Sequence, residues 1–268
     1  MLKSLFDFYI RSNIHVAISI CCLTWVTFLN FNLKLNNSVL GFVLFSSITG
    51  YNFIKYSKSI LDVKNNTFFA IRLLSVICLL FSGYFLLQLQ KDSYFLIVLL
   101  SLITFFYTIP FFKKNITALR DISGLKIYIV AFVWVGISFS LPLINSNYTL
   151  TIVVLLSGIQ RFLFVITITL PFEIRDLNND EIRLATIPQK IGINHTKILG
   201  VLILISIPVI DILKQEFGTK QSITQLLICL ITIIFILFSK RNQSKYYSSF
   251  YVESIPVIWL ILLVMSII

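Results

Sequence analysis

Asp176 and Asp180 stand four residues apart in the stretch PFEIRDLNNDEIRLATIPQK, residues 171–190, of a chain otherwise rich in Ile, Leu, Val and Phe. If a helix continues or restarts through RDLNND, this spacing puts both carboxylates on one face with Cβ atoms about 5–6 Å apart. Like charges that close repel, and a divalent cation relieves the repulsion. Mg²⁺ takes hard oxygen ligands, commonly one or two carboxylates with water and substrate phosphates completing the shell. Arg175 and Arg183 flank the pair and offer donors to anionic oxygens. The chemistry of the stretch is therefore the gripping of a phosphorylated head group. A solvated helix end, its opposite charges paired at i, i+3 and i, i+4, is the other reading of the same residues.

Such a pair needs elements that hold it at the edge of an oily interior. The 268 residues are 57% hydrophobic and 12% charged, where a soluble domain carries about 25% charged. Apolar runs of about 20 residues, the length that spans a hydrocarbon core of about 30 Å, recur with short polar breaks. They give nine candidate helices, at roughly 14–33, 38–60, 67–89, 93–112, 123–143, 149–171, 196–213, 222–239 and 250–268. The expectation is an all-α polytopic membrane protein with a single domain over 1–268, since no fixed-period repeat and no long linker divides it. Asp7 and Arg11 precede the first run and no A-x-A-like site follows, so that run is expected to be a retained span.

The net charge of +11 raises the question of nucleic acid, but the basic residues lie in breaks between apolar runs. Anionic lipid and the positive-inside rule account for them, and no nucleic-acid partner is expected. Sixteen Lys and Arg fall in the N-terminal segment and the loops after helices two, four, six and eight; only Lys34, Lys91, Lys214 and Lys220 fall on the other side. That bias puts the N-terminus and the even loops in the cytoplasm. Cys21, Cys22, Cys78 and Cys229 all lie inside apolar runs and read as free thiols. Arg161, beside Gln160 in the sixth run, is an intramembrane cation: either a site residue or one satisfied by a structural partner such as a carbonyl. His15, at the cytoplasmic end of the first run, reads as a structural interface residue.

RDLNNDEIRLATIPQKIG resembles the second aspartate-rich motif of the UbiA superfamily of intramembrane prenyltransferases. Arg175, Asp176 and Asp180 match its R-D-x-x-x-D core, and Thr186, Ile187, Pro188 and Gly192 match the turn and Gly that follow; the Gly between the second Asp and the Thr is absent. FYTIPFFKKN is similar to the family's Tyr-x-x-Pro element through Tyr107, Pro110, Lys113 and Lys114. LRDISGLKI then supplies Arg120 and Lys126 for anionic oxygens. The first family motif, N-x-x-x-D-x-x-x-D, is degenerate: Asn52 matches, but Tyr56 and Ile60 take the aspartate positions.

The resemblance implies about nine transmembrane helices surrounding a central cavity in a bacterial cytoplasmic membrane. It implies transfer of a polyprenyl group from an allylic prenyl diphosphate to an aromatic or lipid acceptor, with Mg²⁺, as a single ion or more, at Asp176 and Asp180. Asn52, Lys55 and Lys58 would contact the diphosphate where the first motif's carboxylates are missing, joined by Lys113, Lys114, Arg120, Lys126, Arg175 and Arg183. The alternatives are a catalytically decayed member that binds an isoprenoid or polyprenyl phosphate without turnover, and a small transporter with Arg161 and Gln160 on its path.

Overall fold

The computed structural model describes residues 2–57, 66–109, 118–177, 184–215 and 218–267. Among them are the α-helices α1 (Leu2–Arg11), α2 (Ile14–Asn30), α3 (Asn37–Tyr56), α4 (Asn66–Leu86), α5 (Asp92–Thr108), α6 (Lys126–Val135), α7 (Leu141–Asn145), α8 (Ile152–Asp176), α9 (Ile187–Leu213), α10 (Lys220–Phe238) and α11 (Ile255–Ile267). A 3₁₀ turn at Leu119–Asp121 precedes α6, and π-helical segments at Gly136–Ser140 and Tyr247–Val252 lead into α7 and α11. No strand occurs among the described residues.

Over its described residues each apolar run expected from the sequence is mainly helical, the fifth as α6, its π segment and α7 in one stretch. Among the described residues six stretches are long and apolar enough to cross a membrane, from Phe68–Leu86 to Tyr247–Ser266, and α1 with α2, bent by 60° at their junction, makes up to a seventh. The chain is an integral membrane protein of all-α fold. Its four cysteines are free.

The structure departs from the expected boundaries in two places. The first run is preceded by a separate α1, set off where Asn13 turns left-handed at φ 58°; Asn tolerates that region through local hydrogen bonding. Asp7 accepts from Lys245 Nζ at 2.7 Å and from the Tyr246 hydroxyl at 2.6 Å, while Phe6 packs 5.1 Å from the rings of Tyr246 and Phe250. The seventh run begins at Ile187 instead of 196. The Thr186 N–H donates to Gln189 Oε1 at 2.9 Å, and Pro188 occupies the first turn, where a missing N–H leaves no bond unmade. Gly192 then breaks the helix at φ 78°, ψ 165°.

The helices close into a ring, α2 on α3, α3 on α5, α5 on α6, α6 on α8, then α8, α9, α10 and α11 in order, with α11 back on α2; α4 packs outside on α3. Lipid is as apolar as the side chains, so contact rests on close backbone approach and polar bonds across helices. Gly41 faces the Phe85 ring, and Gly200 faces Leu170 and Ile236. Bonds gather the helix ends into two faces. On one, Tyr56 donates to Arg11 O (2.8 Å) and Arg175 Nη1 to Ser249 Oγ (3.0 Å); on the other, Gln90 N donates to Asn145 Oδ1 (2.9 Å) and Lys214 Nζ to Ser157 Oγ (3.2 Å). His15 is buried in the first face, its ring bonded to the Tyr9 hydroxyl, Phe250 O and Ser254 Oγ, a structural role as read from the sequence.

Candidate active site

A cavity of about 250 Å³ lies on the first face, where α3, α5 and α8 end and α6 begins. Its polar walls are Glu173 and Asp176 from α8, Lys126 from α6, Glu253 just after the second π segment, and the hydroxyls of Tyr51 and Tyr107. Glu173 and Asp176 share a helix face because they are three residues apart. Asp176 closes α8 at the negative end of its dipole, and Lys126 opens α6 at the positive end of its own. Neither position is one that helix electrostatics favours. Both charges serve the cavity, not the helices.

Arg175 holds Asp176: Nε and Nη2 donate to Oδ1 and Oδ2 at 2.7 and 3.0 Å, and the guanidinium lies 5.1 Å over the Phe172 ring. The pair is about a quarter exposed, at 28% and 27%. Lys55, at the end of α3, donates to Asn13 Oδ1 at 3.4 Å and lies 5.4 Å over the Tyr56 ring.

A second cavity, of about 440 Å³, shares Tyr51, Ile54, Thr104, Val133 and Trp134 with the first. Its remaining walls are mostly apolar, with Phe42, Leu86, Ile97 and Leu100 among them. The Trp134 indole N–H donates to the Tyr51 hydroxyl at the junction. Leu79 and Phe105 line this chamber and are 56% and 44% exposed, so its rim reaches the apolar perimeter of the bundle. A cavity with charged walls thus adjoins an apolar one.

No family model and no curated protein matches the chain. Solved structures do. A UbiA homologue from Archaeoglobus fulgidus bound to Cd²⁺ superposes with a TM-score of 0.61 at 14% identity, covering 96% of this chain and 98% of that one. The same homologue bound to GPP and Mg²⁺ gives 0.60 at 13%, covering 96% and 99%. A digeranylgeranylglyceryl phosphate synthase gives 0.56 at 12%, covering 98% and 97%. This is the UbiA fold.

Within the UbiA fold the residues expected from the sequence fall into three groups. Asp176 and Lys126 line the charged cavity, Arg175 holds Asp176, and Lys55, which does not line it, bonds Asn13 Oδ1 at the end of α3. Asn52 and Arg120 do not line it. Asn52, 2% exposed, accepts from Asn13 Nδ2 at 2.8 Å and donates to Ser75 Oγ at 2.9 Å, tying α3 to α4 and to the α1–α2 junction. Arg120 lies 3.8 Å from Asp121 in the 3₁₀ turn. Asp180, Arg183, Lys58, Lys113 and Lys114, with Pro110 and Ile60, lie outside the described residues. Tyr56, at a position the family gives to aspartate, bonds Arg11 O and packs edge-on against Phe68.

Two wall carboxylates were not singled out from sequence. Glu173 was legible in principle, being i−3 to Asp176 on the same helix. Glu253 gave no signal, because only tertiary packing brings it to the cavity of Asp176 and Lys126. Among the described residues no three His, Cys, Asp or Glu side chains gather into a ready metal cage. Mg²⁺ requires no such cage, since one or two carboxylates with substrate phosphates suffice. The hard oxygens of Glu173 and Asp176 on one wall fit that donor set.

The turn entering α9 is pinned across the site, as the Gly124 N–H donates to Leu184 O at 2.8 Å. Gly192, two turns of chain further on, has a backbone conformation that only glycine adopts without strain. Gly192→Ala is expected to lower stability by about 1–3 kcal/mol. Thermal melting of the detergent-solubilised protein checks it; an unchanged midpoint would contradict the break.

Proposed function

We propose that the chain is a membrane prenyltransferase that takes an allylic prenyl diphosphate and transfers its prenyl group to an aromatic or lipid acceptor. The observation that carries this is the junction of a charged cavity at Asp176 with an apolar chamber through the shared walls Tyr51, Ile54, Thr104, Val133 and Trp134. The capture of GPP and Mg²⁺ by a protein of the same fold supports it. The diphosphate lies against Lys126 and Arg175, with Lys55 near the mouth, and the tail runs into the chamber. Lys58, Lys113, Lys114, Arg120 and Arg183 are further candidate contacts by resemblance, as is Asn52. The density of Lys and Arg on this face assigns it to the cytoplasm, of a bacterial membrane on the family's pattern.

Departure of diphosphate breaks the allylic C–O bond, and the diphosphate leaves with the electron pair. Glu173 and Asp176 on the cavity wall, with Asp180 by resemblance, would hold Mg²⁺, which would supply charge neutralisation for that departure. Lys126 and Arg175 orient the leaving oxygens and stabilise their charge. The rings of Tyr51, Tyr107 and Trp134 face the allylic cation and exclude water that would quench it. The acceptor forms the new bond to carbon and loses a proton, for which the Glu253 carboxylate stands in the same cavity.

The direct test is release of diphosphate from geranyl diphosphate, with and without Mg²⁺. Release that needs Mg²⁺ and an added acceptor supports the proposal; none across a panel of allylic chain lengths and acceptors overturns it in favour of binding without turnover. The residues at the degenerate motif favour keeping that second reading. Tyr56→Asp with Ile60→Asp restores the family's carboxylates. A gain in release marks decay in the natural chain, whereas a loss of existing turnover shows that the lysines have taken over the role.

A further inference from the structure

The opposite face holds a cavity of about 310 Å³ that the prenyl reaction does not use. It forms where α2 and α9 end and α10 begins, about 18 Å along α8 from Glu173. Arg161, 4% exposed, lines it. Its Nη1 donates to Leu23 O at 2.9 Å and its guanidinium stacks 4.9 Å from the Trp259 ring. Asp211 is the carboxylate in the walls, and it is fully occupied elsewhere. Oδ1 accepts from Gln160 Nε2 (2.8 Å) and pairs with Lys214 Nζ (3.1 Å); Oδ2 accepts from Ser222 Oγ (3.0 Å) and Gln225 Nε2 (3.4 Å).

Two cations therefore share one carboxylate, and that carboxylate bonds Lys214. Arg161 forms no ion pair among those between described residues. Two more polar atoms of the walls, Trp259 Nε1 and Asn30 Oδ1, are buried without a partner among the described residues. An uncompensated guanidinium is costly at membrane depth, and its planar fork matches the oxygens of a carboxylate or phosphate. Trp259 Nε1–H adds a donor, and the Asn30 amide can meet a hydroxyl.

We propose that this cavity is a second site, selective for a singly charged oxyanion that also carries a hydroxyl, with Arg161 as its anchor. A phosphodiester lipid head group from that leaflet and a small soluble phosphate present the same chemistry, and the two are separable by experiment.

The full-length protein in neutral detergent and anion-poor buffer is titrated with inorganic phosphate, and separately with phosphatidylglycerol against phosphatidylcholine, reading thermal stabilisation and native mass spectra. Saturable stabilisation by phosphate marks a soluble anion; stabilisation by phosphatidylglycerol alone marks the head group. In either case Arg161→Gln is expected to weaken binding about tenfold or more, as loss of a charge-assisted contact does. Trp259→Phe keeps the ring under Arg161, removes the N–H, and is expected to weaken binding several-fold; it decides the matter if Arg161→Gln fails to fold. Wild type that responds to neither probe, or variants that bind as wild type does, would overturn the site and leave a water-filled cavity. None of these readouts depends on prenyl transfer.

Discussion

Asp176→Asn is expected to lower diphosphate release from an allylic prenyl diphosphate by about 10²-fold or more, the scale on which single electrostatic contacts to a developing charge act. Stability should barely change. The Arg175–Asp176 pair is about a quarter exposed, and pairs of that kind contribute roughly 0–1 kcal/mol. Arg175 also keeps Ser249 and the Phe172 ring after the substitution. The two readouts therefore separate: release assayed at saturating Mg²⁺ should collapse, while the melting midpoint stays near wild type. A variant that melts early would reassign Asp176 to the scaffold, and one that turns over normally would remove it from the site.

The second large effect concerns the tail. Gly50 and Gly83 line the apolar chamber, and a Cβ at either would meet no atom within 4 Å. Gly50 lies inside α3 with helical backbone, so a larger residue gains about 0.5 kcal/mol in helix propensity and fills only the chamber. Gly50→Phe is expected to reject long prenyl chains while keeping the ten-carbon one. Losing burial of one five-carbon unit, at about 0.8 kcal/mol per carbon, costs about 4 kcal/mol and alters relative kcat/KM by roughly 10²- to 10³-fold. Competition between geranyl and longer diphosphates measures it directly. Unchanged chain selectivity in both Gly50→Phe and Gly83→Phe would show that the tail lies elsewhere.

Why some of this was legible from sequence and some was not follows from the solvent. Spanning lipid demands long apolar helices, so the runs that became α2 to α11 could be counted from composition alone. The faces those helices turn toward each other leave little trace, because in lipid the outer side is as apolar as the inner one and periodicity carries no contrast. Hence Asp176, Lys126 and Arg175, which sit in polar breaks, could be named as candidates from sequence. Tyr51, Trp134 and Glu253, which only the ring of helices brings to the same cavity, could not. The start of α9 was misplaced for a related reason: Gln189, Lys190, Asn194 and His195 interrupt the apolar pattern, yet Thr186, Pro188 and Gly192 build a capped and broken helix through it.

The ring also fixes when the protein can finish assembling. α2 closes against α11, and α1 docks on Lys245, Tyr246 and Phe250, so segments far apart in sequence complete each other's contacts. Until the segment around Phe250 is in place, His15 and Ser19 lack Phe250 O and Glu253 O as acceptors. Closure of the ring therefore waits on the docking of this late segment, and a chain cut before Tyr247 would leave a polar seam along α2 uncovered.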